Sequence, residues 1–71
     1  MTPAQCKTAR SLLGWSQTEL AQNAGVGKNT VTDFELESLP VSEHALTKLQ
    51  LALEDAGIQF TKGIRPGVKM R

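Results

Sequence analysis

The sequence predicts a mainly α fold, four short helices followed by a short C-terminal β-hairpin or extended strand. Three observations predict it. Capping residues stand at Thr2, Ser16 and Ser42, each just ahead of an apolar stripe of helical period. Glycines at 14, 25 and 57 follow the stripes and end them. Beyond Gly57 the apolar period falls to two. The 71 residues suit one small domain, near the size at which a single core just holds without staples. Residues 1–57 make its helical body. Residues 58–71 make a tail that lies on that body or on a second subunit.

The first helix opens with Thr2 as cap, Pro3 at the first helical position and Gln5 at N3. Cys6, Ala9 and Leu13 recur at i, i+3 and i+7 with Leu12 beside them, a buried stripe that Gly14 ends. In the second helix, over about residues 17–24, Ser16 and Glu19 form a capping box. Trp15 and Leu20 occupy the two positions of a hydrophobic staple, and Leu20, Ala21 and Ala24 face inward until Gly25.

The third helix starts near Gly27 or Lys28 and runs to about Glu35. On a helical wheel Val31 and Phe34 share one side, with Thr30 near the edge. Lys28, Asn29, Thr32 and Asp33 fall on the other, an outer face that is wholly polar. Leu36 to Val41 reads as a loop. In the fourth helix Ser42 caps, and Leu46, Leu49, Leu53 and Ala56 form the inner face, widened by Ala45 and Ala52. Leu51 lies on its polar side. Ile58-Gln59-Phe60 and Val68-Lys69-Met70-Arg71 alternate around Gly63 and Pro66-Gly67, two short strands and a turn. An isolated hairpin is marginal in water, so this one needs the helices or a second chain beneath it.

The bulk numbers exclude several classes. A lone Cys6 forms no internal disulfide, no apolar run reaches the length of a signal or membrane segment, and a cytoplasmic address with no membrane contact is the expectation. The net charge of +1 is unevenly spread: +2 over residues 1–13, −3 over 14–41, −2 over 42–60 and +4 over 61–71. A polyanion-binding surface must therefore come from the two ends plus Lys28.

Catalysis finds no support. His44 sits at N2 of its helix as a solvated residue, and Cys6 on a core stripe as an inert thiol. Nothing beside the Glu35/Glu37 and Glu54/Asp55 pairs suggests burial. There is no metal-ligand spacing, nucleophile elbow or phosphate-cradling glycine loop, and no cofactor is expected.

A binding module accounts for more. Two short helices joined by a three-residue turn with glycine must cross steeply. Ala21 and Gly25 fall at the closest approach, where small residues are required.

The ordered stretch "QTELAQNAGVGKNTVTDFE" (Gln17 to Glu35) resembles the Cro/phage-repressor (Xre-type) helix-turn-helix. Gln17 opens the first helix, Ala21 is its fifth position, Gly25 the ninth, Val31 the fifteenth, and Phe34-Glu35 close the motif. "ARSLLGWS" (Ala9 to Ser16) also resembles that family, including Arg10, whose family counterpart pairs with the acid at Glu35. The resemblance covers roughly residues 3–56 and implies a lambda-repressor-like four-helix domain. The tail "AGIQFTKGIRPGVKMR" is similar to small bacterial regulators in which such a segment stands in place of the phage repressors' fifth helix.

The resemblance implies double-stranded DNA as partner, with the third helix in the major groove. Lys28, Asn29, Thr32 and Asp33 are then the base-edge candidates. Lys28 suits a guanine edge or a phosphate, Asn29 adenine, Asp33 the amino group of cytosine, and Thr32 a thymine methyl or a phosphate. Gln17, Thr18, Arg10 and Thr30 are the phosphate candidates, Arg10 shared with Glu35.

The acidic motif region argues for weak binding by one copy alone. The basic tail, or a homodimer on two half-sites, would supply the difference. Leu51, Phe60, Val68 and Met70 are the candidate dimer contacts, although the chain's own tail could equally cover Leu51. The leading expectation is a sequence-specific bacterial or phage transcription regulator. The alternative is a protein-interaction module on the same fold, antitoxin-like or adaptor, with a protein partner.

Overall fold

Three of the four described helices begin at a hydroxyl side chain that accepts a first-turn amide. The computed structural model describes residues 1–61 and 67–70. Thr2 accepts from the Gln5 N–H at 3.1 Å and opens α1 (Pro3–Leu13), while the Thr2 N–H donates to Gln5 Oε1 at 2.8 Å. Ser16 and Glu19 repeat this reciprocal box at α2 (Gln17–Ala24). Ser42 accepts from the Ala45 N–H ahead of α4 (Glu43–Asp55). Each cap satisfies a donor that the helix cannot, typically worth about 1 kcal/mol. The third helix, α3 (Lys28–Leu36), starts at Gly27 with no side-chain cap.

Cys6, Ala9, Leu20, Ala21, Val31, Leu49, Leu53 and Ile58 form the buried core, with Leu13, Trp15, Phe34 and Leu46 packed around it. The helix stripes read from the sequence thus converge on one centre. Leu12, expected on the α1 stripe, is exposed instead. One place beside a stripe is not yet on it, because successive helical residues are separated by about 100°.

Between α2 and α3 the chain turns at Gly25, whose φ of 72° lies in the left-handed region. The Val26 N–H donates back to the Ala21 carbonyl at 3.0 Å and closes the end of α2. A side chain at Gly25 would meet nothing within 4 Å. Close helix approach is therefore not what requires glycine there, contrary to the sequence expectation; the backbone conformation is. The end of α3 has the same shape without glycine. Glu37 takes φ 55°, and the Ser38 N–H reaches the Asp33 carbonyl at 3.2 Å.

After α4, β1 (Ile58–Thr61) and β2 (Gly67–Met70) pair antiparallel in the register Ile58↔Met70, Gln59↔Lys69, Phe60↔Val68 and Thr61↔Gly67. The turn expected around Gly63 and Pro66, and Arg71, lie outside the described residues. The hairpin rests on its own chain, β1 against α4 and β2 against α1. Phe60 and Val68 are half-buried against the core, so part of their apolar surface is used within the chain. Leu51 and Met70 stay exposed, at 53% and 46%. The described part of the tail leaves Leu51 largely uncovered.

Gln5 fastens the hairpin. Its Nε2 donates to the Gly67 carbonyl at 3.1 Å and to the Thr61 carbonyl at 3.5 Å, while its Oε1 serves the α1 cap. Replacing it with leucine leaves a half-buried carbonyl without its donor and removes half of the capping box. A loss of about 1–3 kcal/mol is expected. Amide hydrogen exchange should quicken over Ile58–Thr61 and Gly67–Met70 first; uniform quickening through α2 would refute the clasp.

Candidate nucleic-acid interface

The inner side of α3 is held by a charged pair. Glu35 lies four residues after buried Val31 and shares its face. It is only 3% exposed. Arg10 from α1 grips it with two nitrogens, Nε on Oε2 and Nη2 on Oε1, both at 2.7 Å. A third Arg10 nitrogen, Nη1, donates to the Trp15 carbonyl at 3.0 Å. The Cys6 thiol donates to Glu35 Oε2 at 3.2 Å, and Gln17 Nε2 to Oε1 at 3.2 Å. This carboxylate is thus the meeting point of α1, α2 and α3.

Its titration follows from these contacts. Burial drives the Glu35 carboxyl up, but the hydrogen bonds from Arg10, Gln17 and Cys6, with the Arg10 charge, outweigh that and hold it below its ordinary value. The hydrogen bond to Glu35 likewise raises Arg10. Burial, helped by the neighbouring carboxylate, pushes the Cys6 thiol up to about 12. Cys6 is therefore protonated and inert at neutral pH. Among the described residues no group of side chains is arranged to hold a metal ion.

On the outer side, Lys28 and Asn29 are exposed at the start of α3, and Thr30, Thr32 and Asp33 are half-buried. Thr32 Oγ1 donates to Gln17 Oε1 at 3.1 Å and lies 3.2 Å from the Lys28 carbonyl. Asp33 accepts from the Ser38 hydroxyl at 3.3 Å. Thr18 is exposed at the start of α2 beside half-buried Gln17. The structure therefore joins Arg10, Gln17, Thr32 and Glu35 in one network. Lys28, Asn29, Thr18 and Thr30 stand around it.

A family model for helix-turn-helix domains matches residues 7–54, about two-thirds of the chain. The chain belongs to the helix-turn-helix family. The type is Cro/C1, Xre-like, and its kind is the DNA-binding regulator. No curated protein matches the chain. No described helix is long and apolar enough to cross a membrane.

Two features of this helix-turn-helix escape the sequence pattern. First, α3 continues to Leu36, which is 65% exposed. Leu36 follows Thr32 and Lys28 at intervals of four, so the outer face ends in a large apolar residue rather than being wholly polar. The residue after it, Glu37, gives no stop signal, and that hides the extra position. Second, Glu35 is buried, although nothing beside the Glu35/Glu37 pair suggested it, and burial removes it from the surface charge. What remains along the motif is Lys28 against exposed Glu19 and Glu37 and half-buried Asp33. The spacing from Val31 to Glu35 was the available signal for that burial.

Proposed function

We propose that the protein is a sequence-specific transcriptional regulator that binds a short inverted repeat as a homodimer, α3 lying in the major groove. One observation carries this reading: the Arg10–Glu35 pair anchors the inner side of α3, leaving Lys28 and Asn29 exposed at the end that enters a groove in this motif. Lys28, Asn29, Thr32 and Asp33 read bases, while Gln17, Thr18, Thr30 and Arg10 lie against the backbone. Arg10 has three nitrogens committed inside the protein and adds its charge from behind them. The remaining surface of the motif is still acidic, so one copy binds weakly and two half-sites about 34 Å apart supply the affinity. Leu51 and Met70 are the more exposed of the four self-contacts, with Phe60 and Val68 half-buried beside them.

Selection from a random duplex pool at two salt concentrations tests the reading. Enrichment of one inverted repeat is expected, and Asn29→Ala should relax one base pair of each half-site by about 1–3 kcal/mol. A pool that shows no enrichment even at low salt refutes it.

Exposed Leu36, Leu39 and Leu51 favour a second reading, a protein-interaction module on the same fold. Stable co-purification of a protein partner through residues 51–71, without any DNA shift, would establish that reading instead.

A further inference from the structure

The hydrogen bonds behind α3 have a fixed direction. Glu35 is ionised and only accepts, so the Gln17 amide must turn its NH₂ group toward it, as the 3.2 Å contact from Nε2 requires. The reversed amide would set oxygen against carboxylate. Gln17 Oε1 is thereby aimed at Thr32, and an oxygen there accepts. The other neighbour of the Thr32 hydroxyl, the Lys28 carbonyl at 3.2 Å, also only accepts. Both partners of the hydroxyl take its single proton, and neither can give one. What Thr32 presents outward is lone pairs.

We infer that Thr32 is a specificity-determining residue that reads an exocyclic amino group, the N6 of adenine or the N4 of cytosine, and discriminates against guanine and thymine on the strand it approaches. This rests on the reading of α3 as a groove-binding helix. A threonine hydroxyl is ordinarily ambivalent and suits any base. Here the buried Glu35 carboxylate, held by Arg10 and relayed through Gln17, removes the ambivalence. In the major groove, adenine and cytosine offer an amino donor where guanine and thymine offer a carbonyl acceptor. Lone pairs facing that carbonyl would be left without a partner. Gln17 is a positioning residue in this scheme, because it acts on the base only through Thr32.

The test is selection on random duplex DNA with the wild-type protein, Thr32→Val and Thr32→Ser, followed by binding titrations on the selected duplex. One base pair should lose its preference in Thr32→Val and keep it in Thr32→Ser, carrying adenine or cytosine on one strand. Exchange for guanine or thymine there should weaken wild-type binding roughly threefold to tenfold, the range of one hydrogen bond. It should leave the Thr32→Val affinity unchanged. If adenine is selected, the same duplex with purine in its place, lacking only the amino group, should lose as much. Gln17→Met, which leaves the Lys28 carbonyl as the sole inward acceptor, should reduce discrimination at that pair alone; a protein unfolded by that change is recognised by circular dichroism, and the Thr32 variants then decide. Guanine or thymine at the Thr32-dependent pair, or an enriched site that Thr32→Val does not alter, overturns the inference while leaving DNA reading intact. No enriched site for the wild-type protein overturns both.

Discussion

Replacing Arg10 with methionine should destabilise the domain by about 3–5 kcal/mol at neutral pH and weaken one part of its acid response. Methionine keeps much of the apolar stem but leaves the Glu35 carboxylate buried without its cation. A domain of this length has roughly 4–11 kcal/mol of stability in all. The variant would therefore melt at least about 12 °C lower, at roughly 4–8 °C per kcal/mol.

The pH dependence separates this from a simple packing loss. In the wild-type protein Glu35 titrates below its ordinary 4.5. Its contribution is complete above that pH and is lost as the pH falls through the folded value. In Arg10→Met both Arg10 contributions that lower the carboxyl are gone while burial still raises it, so Glu35 titrates higher than in the wild type and less stability is lost on acidification. The stability gap between the two proteins should narrow as the pH falls toward 4. Urea titrations at pH 7, 5 and 4 measure it. A cost below 1 kcal/mol at pH 7, or a gap that stays constant, would contradict the role assigned to the pair.

The second large effect contrasts two leucines two places apart on α4. Leu49 is 0% exposed at the centre of the core, whereas Leu51 points outward. Leu49→Ala should cost about 2–5 kcal/mol through lost burial and the cavity left behind. Leu51→Ala should change the stability of a single folded chain by less than about 0.5 kcal/mol. If Leu51 lies in a homodimer contact, its replacement instead lowers the melting temperature in a concentration-dependent way and weakens self-association in sedimentation. Equal losses from both substitutions at high dilution would place the core wrongly.

The four helices were legible because their signals are local. Caps at Thr2, Ser16 and Ser42 and the 3.6 period act within a few residues, and tertiary contacts reinforce them. The hairpin was legible as a change of period, but what lies beneath it was not, since that depends on Gln5 meeting Gly67 from the other end of the sequence. Gln5 reads as a cap partner alone until the fold is closed.

Glu35 shows a different limit. Charge argues for exposure, and against it stand only the pairing with Arg10 that the resemblance implies and a spacing from Val31 whose meaning emerges once the fold is known. The candidate site was therefore legible as a set of residue types on a helix face. The direction of the Gln17–Thr32 hydrogen bond was not, because it is fixed by a carboxylate on the far side of the helix.

The Gln5 clasp also orders events during synthesis. Its two ends are 62 residues apart, so α1 waits about 3–12 s for its last partner at 5–20 residues per second. The α2–turn–α3 unit, joined by near neighbours in sequence, is complete in the chain before Gly67 is added. The local contacts of the helix-turn-helix are thus available in the growing chain before the latch across α1 is.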